Sequence, residues 1–367
     1  MTIKNKPYSL YLHVPFCASI CSYCDFCHVI YREEIAQQWL EAIAYEIAQK
    51  DISEHLRTVY IGGGTPTSLS SFQLDCLLGL LDPFTSEVEE YTIEINPETL
   101  TEEKADIIAS HGINRASVGL QTSNSHVLTL LGRHHSLDTI RDCLNLLKEK
   151  GIQNISLDLM YSLPTQTMDD LKISIQDAIS LEPTHLSFYS LTIEDNTVFG
   201  KKGYQSLDED TEADMYEYIC QALPKYGFQQ YEVSNFSLRG YDSKHNSAYW
   251  NYRDFYGIGC GASGKEGLCR YDNLRNIKDY IADPLQRNEI YLSEEDAMFE
   301  MLMMGIRFRN GMNLNLFEQT FGHTFEEIYG NKAQALIRDG MMQYLDGRIQ
   351  CTAKGYEVMN SLLVEFM

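Results

Sequence analysis

The sequence has no apolar run that could cross a membrane and no leader-like start. None of its apolar stretches reaches the ~18 residues that a membrane-spanning helix needs, although 44% of its 367 residues are hydrophobic. Met1–Tyr8 contain no apolar core of the kind that a signal peptide carries. Internal repeats and low-complexity segments are also missing from the sequence. We therefore expect a soluble globular protein of the cytoplasm, long enough for two domains.

Positive charge is scarce in this chain. It has 29 Lys and Arg against 52 Asp and Glu, which gives a formal net charge of −23 at pH 7. A surface of that sign repels the phosphates of nucleic acids and the head groups of anionic lipids. We therefore expect no nucleic-acid partner.

Cysteine is plentiful, and three of the ten cysteines lie close together near the N-terminus. Cys17, Cys21 and Cys24 have the spacing Cys-x3-Cys-x2-Cys. Three thiolates on one loop can hold three irons of a [4Fe–4S] cube and leave the fourth iron without a protein ligand. Zinc is the alternative, because these cysteines with His13 or His28 would also suit zinc, although the paired Cys-x2-Cys knuckles of structural zinc modules are missing.

Most of the other cysteines are scattered among apolar neighbours. In a reducing cytosol we expect them to be small core residues that form no disulfides. They are Cys76, Cys143, Cys220, Cys260, Cys269 and Cys351.

From residue 8 to about residue 190, short β-branched or aromatic runs alternate with amphipathic stretches. Six runs predict strands: Ser9–Val14, Thr58–Ile61, Tyr91–Ile95, Ala116–Leu120, Ile155–Met160 and Leu186–Leu191. Helices are predicted between them, among others over Glu33–Gln49, Glu102–Ser110, Ser136–Lys150 and Met168–Ser180. Gly112 and Gly151 stand where helix C-caps belong. Six strand–helix units indicate an α/β fold with a parallel sheet.

Each of these strands has one apolar face and one face with polar side chains. In Ile155–Met160, Ser156 and Asp158 alternate with apolar residues, and Glu94 has the same kind of position in Tyr91–Ile95. The interior of a closed eight-stranded barrel is normally filled with Val, Ile and Leu. We therefore infer an open, hollow barrel of six strand–helix units around a polar ligand. The alternative is a packed barrel in which the polar side chains satisfy one another.

The pattern changes after the barrel. Residues 193–292 are less regular, with one amphipathic helix near Glu209–Pro224. From Ser293 onward the sequence predicts a small α+β domain of the winged-helix type. Its predicted elements are the helices Glu294–Phe308, Leu316–Phe321 and Lys332–Arg338, a hairpin over Met341–Thr352 and a last helix over Ala353–Val364. We divide the chain into a barrel with its extension (1–235), a connecting segment (236–292) and a C-terminal winged-helix-like domain (293–367).

Residues that could bind a ligand follow the predicted strands in order. The cysteine loop follows the first strand, and Gly62–Pro66 follows the second, where glycines let backbone groups approach a ligand closely. Glu94, Gln121, Arg133 and Asp158 come with the later strands. Parallel βα barrels gather such residues at the C-terminal ends of their strands. Each residue alone is explained by an ordinary hydrogen bond, but together they indicate one ligand site.

These motifs resemble those of the radical S-adenosylmethionine (SAM) superfamily, and within it the oxygen-independent coproporphyrinogen III oxidases and their HemW-type relatives. The similar segments span nearly the whole chain: Tyr11–Cys17, Gly62–Pro66, Ile155–Pro164, Gln229–Phe236 and Gly257–Ala262. The resemblance implies a six-unit partial barrel in which Cys17, Cys21 and Cys24 hold a [4Fe–4S] cluster. It also implies contacts to SAM from Tyr11, Tyr23, Gly63, Gly64, Thr65, Glu94, Gln121, Arg133, Asp158 and Thr192.

Two further features are similar to the HemW branch. They are Leu-Gly-Arg-His-His at Leu131–His135 and the pattern His-Asn-x-x-Tyr-Trp at His245–Trp250. The resemblance implies heme binding by His245, Tyr249 and Trp250, because an imidazole can ligate heme iron and a Tyr–Trp pair offers a flat apolar surface. From the residues alone, the alternative is a loop held in place by its own aromatic side chains.

Two departures separate the chain from the true oxidases. Those enzymes have a fourth cysteine two residues after the third, and Phe26 stands at that place here. Cys27 lies one residue later, and we do not expect it to be a cluster ligand. Only sixteen residues precede Cys17, fewer than in the arm of the oxidases. Both departures argue against coproporphyrinogen decarboxylation.

The resemblance therefore implies a heme chaperone that binds the cluster, SAM and heme as cargo. Its expected partners are heme-accepting respiratory apoproteins, with acceptors at the membrane among the candidates, and an electron donor. One alternative is an oxygen-independent coproporphyrinogen III oxidase, in which an adenosyl radical made from SAM takes a hydrogen from a propionate side chain. Another radical SAM reaction on a different substrate is the third hypothesis.

Overall fold

A parallel sheet forms the centre of the structure, a computed structural model that describes residues 7–367. Met1–Lys6 belong to the segment in which the sequence predicts no signal peptide, and they lie outside the described residues. The strands in chain order are β1 Ser9–Val14, β2 Phe16–Cys17, β3 Val29–Ile30, β4 Thr58–Gly63, β5 Glu90–Ile95, β6 Arg115–Gln121, β7 Asn154–Tyr161, β8 His185–Ser190, β9 Gln229–Gln230, β10 Asn235–Ser237, β11 Phe255–Ile258, β12 Ser263–Glu266, β13 Cys269–Asn273, β14 Arg287–Tyr291, β15 Met312–Asn313, β16 Met342–Leu345 and β17 Arg348–Cys351.

Helices separate most of these strands. In chain order they are α1 Glu33–Gln49, α2 Ser71–Thr85, α3 Glu102–Ser110, α4 Ser125–Leu131, α5 Leu137–Glu149, α6 Met168–Ser180, α7 Val198–Lys201, α8 Glu209–Ala222, α9 Lys244–Trp250, α10 Ile277–Ala282, α11 Glu294–Gly305, α12 Leu314–Phe321, α13 Phe325–Arg338, α14 Ala353–Glu357 and α15 Met359–Val364. Within residues 7–367, no helix is long and apolar enough to cross a bilayer.

The central sheet contains all six predicted strands. Its order is β14-β13-β12-β11-β1-β4-β5-β6-β7-β8-β10-β9, and the strands from β11 to β8 in this order pair in parallel. Helices α1, α3 and α6 have the predicted bounds. Gly112 and Gly151 follow α3 and α5 with left-handed φ angles of 77° and 90°. The predicted α/β class with a parallel sheet is confirmed.

The sheet continues through a segment for which the sequence predicts no strand. β11 pairs in parallel with β1, and β12, β13 and β14 extend the sheet in antiparallel fashion from there. These strands are short and rich in polar residues, so they carry little of the hydrophobic alternation that predicts a strand. Helix α2 lies between the second and third predicted strands, where the sequence predicts a helix without giving its bounds, and it contains Gly79 and Pro83. It begins at a capping box between Ser70 and Gln73.

The C-terminal residues form helices around a hairpin, as the sequence predicts. β16 and β17 pair antiparallel around Asp346 and Gly347, whose φ angles of 50° and 71° suit a tight hairpin turn. Helix α13 starts at Phe325 and not at Lys332, because Thr324 forms a capping box with Glu327. The predicted last helix is two helices, α14 and α15. The backbone between them leaves helical geometry at Val358, with φ −118° and ψ 24°.

Candidate functional site

The three cysteines lie on a loop whose two ends are tied together. β2 and β3 pair in parallel, so Phe16 is opposite Val29 and Cys17 is opposite Ile30. The thiols of Cys17, Cys21 and Cys24 are free and half-buried. Burial, together with a smaller effect of the neighbouring thiols, raises the pKa of Cys17 to about 11 and that of Cys24 to about 12. These thiols therefore need a positive partner, such as iron, before they become ligands.

The glycine turn after β4 packs directly on this loop. The N–H of Gly64 donates to Val14 O at 2.8 Å and that of Thr65 to Phe16 O at 2.7 Å, and the Thr65 hydroxyl lies 3.8 Å from Cys17 Sγ. A Cβ on Gly64 would lie 2.7 Å from Phe16 O and 3.0 Å from Cys17 Sγ. Only glycine fits this contact without displacing the loop.

Arg133 reaches the cysteine loop from the other side. Helix α4 ends at Gly132, which has a left-handed φ of 75°, and Ser22 N donates to Leu131 O at 3.0 Å. Burial alone would lower the pKa of Arg133, but the neighbouring Tyr23 and the thiols raise it. Its Nε atom is buried and has no hydrogen-bond partner. A buried guanidinium with an unpartnered donor fits an anionic group placed next to the thiols.

The donor set therefore fits the iron–sulfur cluster that the sequence predicts. Three thiols, a glycine cradle and a buried cation surround one loop. Within residues 7–367, no three His, Cys, Asp or Glu side chains converge on a single metal ion. In a cube the three thiolates bind three different irons, so the chemistry of the donors is the relevant test.

Glu94 faces the interior of the barrel near this loop. Its carboxylate accepts hydrogen bonds from the Tyr60 hydroxyl at 2.8 Å and from Gly63 N at 3.0 Å. Burial raises the pKa of Glu94 to about 7, although these two donors lower it. Glu94 can therefore change its charge near neutral pH, when a cationic ligand arrives or leaves.

Asp158 belongs to a hydrogen-bonded layer of the interior. It accepts from Ser117 Oγ at 2.7 Å and from Ser156 Oγ at 3.3 Å, and burial raises its pKa. Ser156 also bonds to His185 Nδ1 at 2.8 Å, and His185 Nε2 lies 2.9 Å from the Tyr231 hydroxyl. In this layer the polar side chains satisfy one another, as the packed-barrel alternative expects.

The remaining residues predicted to contact SAM lie around the same strand ends. Gln121 and Arg133 converge at Gly119, where a Cβ would lie 2.7 Å from Gln121 Nε2 and 3.4 Å from an Arg133 nitrogen. Tyr11 points into the interior, and its hydroxyl is 2.9 Å from His13 Nδ1. Thr192 lies exposed, just beyond β8.

An open cavity of about 500 Å³ lies beside the cysteine loop, as the hollow-barrel prediction expects. Its walls are mainly aromatic, and Phe26 at its edge is 64% exposed. The charged side chains that line the cavity are Asp25, Glu94 and Arg275. The aromatic lining residues are Tyr11, Phe26, Tyr60, Tyr189, Tyr249 and Phe255. Flat apolar walls with charged groups of both signs suit a planar ligand that carries acidic side chains.

The His-Asn-x-x-Tyr-Trp motif lies in helix α9, and its residues His245, Asn246 and Tyr249 line one side of this cavity, its floor. His245 is 1% exposed, its Nδ1 lies 2.8 Å from Thr58 Oγ1, and its Nε2 lies 2.7 Å from the Tyr249 hydroxyl. The imidazole stacks on Tyr60 with ring centroids 5.1 Å apart, and burial lowers its pKa to about 3. The ring is therefore neutral, with both nitrogens bonded inside the protein. This is the arrangement that the alternative for this motif expects.

Trp250 lies apart from His245 and Tyr249. The guanidinium of Arg307 stacks 4.3 Å from the centre of the Trp250 ring, and Arg307 also lies 3.5 Å from the buried carboxylate of Glu232. Trp250 therefore contacts Arg307, two residues beyond the end of α11, and it does not line the cavity.

Sequence reasoning missed several residues of the cavity. Tyr60 precedes Gly62 by two positions on β4, so the same alternation that identified Glu94 would have found it. Arg275 follows β13, in a segment with no recognisable pattern, and nothing in the sequence distinguishes it from the other arginines.

Sequence comparison relates the whole chain to known proteins. The pattern of the family described as the Radical SAM superfamily matches residues 11–178, and that of the HemN C-terminal domain matches residues 292–358. Heme chaperone HemW of Lactococcus lactis is 40% identical over 372 residues, which covers 99% of this chain and 98% of the relative. Heme chaperones HemW of Bacillus subtilis and Escherichia coli are 34% and 32% identical, each over 98% or more of both chains.

A solved structure also matches over the full length. Coproporphyrinogen III oxidase HemN from Escherichia coli superposes with a TM-score of 0.85 at 23% identity, and the match covers 99% of this chain and 90% of that chain. At this identity the match supports the fold alone, and it agrees with the architecture described above.

Proposed function

The chain belongs to the radical SAM superfamily and, within it, to the family of heme chaperones named HemW, and on this premise we propose that it carries heme beside an iron–sulfur cluster and delivers it to apoproteins. The observation that carries the proposal is the 40% identity to a heme chaperone along nearly all of both chains.

Membership of the superfamily implies a [4Fe–4S] cluster and SAM. We propose that Cys17, Cys21 and Cys24 hold the cluster, which supplies an iron with an open position when bound. The remaining residues bind and orient SAM around that position. Gly64 and Thr65 hold the turn against the loop, and Glu94 and Arg133 offer opposite charges to the ammonium and carboxylate ends of an amino acid. The other proposed SAM contacts are Tyr11, Tyr23, Gly63, Gln121, Asp158 and Thr192.

We place the heme in the cavity beside the cysteine loop. The aromatic walls offer flat apolar contacts to a porphyrin ring, and Phe26 adds an exposed ring at the edge. Arg275 can bind a propionate, because one of its nitrogens donates to Asp25 O at 3.1 Å and its other N–H groups remain for a carboxylate. His245 and Tyr249 support the cavity floor, and in this arrangement neither nitrogen of His245 faces an iron ion.

The same position of Phe26 argues against the oxidase alternative. A fourth cysteine would stand there in the oxidases that the chain resembles, and the aromatic ring cannot replace a thiol chemically.

We also propose a cytoplasmic location, where cluster thiols stay reduced. The proposed partners are an electron donor and heme-accepting apoproteins.

An anaerobic experiment on the cluster-loaded protein tests this function. We expect one heme per chain in a spectroscopic titration, and no protoporphyrinogen when coproporphyrinogen III, SAM and a reductant are supplied. Protoporphyrinogen formed over many turnovers would reject the chaperone function in favour of the oxidase. Cleavage of SAM alone would not distinguish them, so the tetrapyrrole product is the quantity to measure.

A further inference from the structure

Two cysteines that are distant in the sequence touch at the wall of the cavity. The Sγ atoms of Cys27 and Cys260 are 3.8 Å apart, although 233 positions separate the residues. Cys27 follows the last cluster thiol by three residues and lines the cavity, whereas Cys260 is fully buried. Both thiols are free.

The surrounding backbone fixes this contact. Gly261 has a φ of 78°, and a Cβ on it would lie 2.6 Å from Cys27 Cβ. On the other side of Cys260, a Cβ on Gly259 would lie 2.5 Å from His13 O. The carbonyl of Arg275 accepts from Cys27 Sγ at 3.0 Å and from Cys260 Sγ at 3.4 Å. The turn and the cysteine loop therefore hold both sulfurs against one carbonyl.

We propose that Cys27 and Cys260 are an oxidisable thiol pair that forms a disulfide when the protein meets a hydroperoxide. A disulfide needs a sulfur–sulfur distance of about 2.05 Å, so the two atoms must approach by less than 2 Å from their present separation. Rotation about the side-chain bonds supplies motion on that scale, and the backbone can stay in place.

The two thiols differ in the way that this chemistry requires. When Cys27 ionises, the S–H of Cys260 can turn from the Arg275 carbonyl to the Cys27 sulfur, 3.8 Å away. This hydrogen bond lowers the pKa of Cys27, and the charge of Arg275 lowers it further. Cys27 also lines the cavity, so it is the better nucleophile of the pair. With hydrogen peroxide, the Cys27 thiolate attacks one oxygen, the O–O bond breaks, and hydroxide leaves and is protonated to water, so that Cys27 becomes a sulfenic acid. An organic hydroperoxide would release its alcohol in this step instead. The Cys260 thiol then attacks that sulfur and a second water leaves. Each sulfur is oxidised by one electron, and the peroxide takes up both electrons.

The bond would tie the cysteine loop to the turn after β11. That turn also bonds to the buried Glu46, through Gly259 N at 2.9 Å. A covalent link at Cys27 would therefore hold the residues after Cys24 in place even when the cluster is absent. It would also fix one wall of the cavity in which we place the heme.

Stepwise oxidation of the anaerobically prepared, cluster-loaded chain tests the pair. Hydrogen peroxide is added by equivalents, free thiols are alkylated, and tryptic peptides are sequenced by fragmentation in a mass spectrometer, because the tryptic peptide of Cys27 also carries Cys17, Cys21 and Cys24. We expect the first product to be a disulfide between Cys27 and Cys260, which links the Cys27 peptide to the peptide of residues 254–265. The mass of the linked peptides is lower by two hydrogens than the sum of their separate masses. Cys76 and Cys143 should remain fully alkylated at that point. The same cross-link should form in a variant in which Cys17, Cys21 and Cys24 are all alanine, because no cluster thiol takes part.

Two single variants separate the roles of the sulfurs. Cys260→Ser should stop the reaction at a sulfenic acid on Cys27 that a dimedone-type reagent traps. Cys27→Ser should leave Cys260 reduced, because the buried thiol cannot reach peroxide. The proposal is overturned if Cys27 stays alkylatable after oxidation of the wild-type chain, or if Cys260 is found linked to Cys17, Cys21 or Cys24. This experiment does not measure heme binding, so failure of the disulfide proposal would leave the chaperone proposal intact.

Discussion

At the scale of single residues, the imidazole of His245 is held inside the protein by hydrogen bonds to both of its nitrogens. The sequence identified Cys17, Cys21 and Cys24 from their spacing, because ligand spacing within one loop is a local property. It predicted a ligand role for His245 from a motif, but the hydrogen bonds of His245 go to Thr58 on β4 and Tyr249 on its own helix. The contact to Thr58 depends on the fold, so the sequence could not show that both nitrogens are bonded.

Replacing His245 tests whether its imidazole ligates heme iron. In His245→Gln we expect the heme absorption spectrum and affinity to stay near those of the wild type. The free energy of unfolding should fall by about 2–3 kcal/mol, because two buried hydrogen bonds are lost. His185→Gln is the matched control, since both nitrogens of His185 are also bonded and it does not line the cavity. A shifted Soret band in His245→Gln but not in His185→Gln would identify the imidazole as a heme ligand.

The charge of Glu94 should make the stability of the ligand-free protein depend on pH. The pKa of Glu94 is about 7 in the folded protein, against an ordinary value of 4.5. Between these values the folded state holds a proton that the unfolded state has lost, so stability falls as the pH rises towards 7. The slope is at most about 1.4 kcal/mol per pH unit.

Urea unfolding of the wild type and Glu94→Gln between pH 5 and 8 measures this effect. As the pH rises from 5 towards 7, the wild type should lose stability relative to Glu94→Gln. Glu98→Gln, which alters an exposed carboxylate nearby, should show no such trend. A pH-independent difference for Glu94→Gln would mean that Glu94 titrates at its ordinary pKa.

At the scale of elements, hydrophobic periodicity predicts the repeated strand–helix units, whereas the remaining strands depend on contacts within the folded sheet. The six strands and helices such as α1 and α3 have strong hydrophobic patterns, so their bounds were predictable. β12 to β14 form because β11 offers them an edge, which is a property of the assembled sheet. The glycine turn was predicted as a ligand segment, but its close contact with the cysteine loop became visible only in the fold.

Gly64→Ala should impair cluster binding. Its Cβ would lie within 3 Å of Phe16 O and Val14 O, which displaces the loop that carries Cys17. We expect iron and sulfide content to fall by at least about half, with a loss of stability of about 1–3 kcal/mol from overpacking. Gly79→Ala in α2 is the control, because the nearest atom to its Cβ is 4.0 Å away. Full cluster content in Gly64→Ala would contradict this prediction, because it would show that the turn can shift without loss of cluster binding.

Glu90 should be essential for docking α9 against the strands. Its buried carboxylate accepts from Lys244 N and His245 N, both at 2.9 Å, and lies 4.0 Å from Arg115. Glu90→Gln removes the charge that faces Arg115 and should cost about 2–4 kcal/mol of stability.

The neighbouring Glu89 provides the control for that measurement. It forms ion pairs with Arg57 and Lys244 at the surface, so Glu89→Gln should cost less than about 1 kcal/mol. Urea unfolding measures both variants. Equal losses would contradict a special role for Glu90.

At the scale of the whole molecule, the protein combines a radical SAM fold with membership of a family of heme chaperones. The fold was predictable because six repeated units leave few topologies, and the superposition on HemN agrees with it. The proposed placement of heme was not predictable, because the cavity is built from the cysteine loop, six strands and α9, which lie far apart in the chain. We propose that a tetrapyrrole enters and leaves this cavity chemically unchanged.

The most direct test follows one heme molecule through the protein. The cluster-loaded chain is given heme, SAM, a reductant and a heme-free acceptor such as apomyoglobin under anaerobic conditions, and the mass of the tetrapyrrole is measured in both proteins. The account predicts that the acceptor gains intact heme and that no modified tetrapyrrole appears. Decarboxylated or adenosylated tetrapyrrole accumulating with turnover would contradict it, and would identify the chain as an enzyme acting on its cargo.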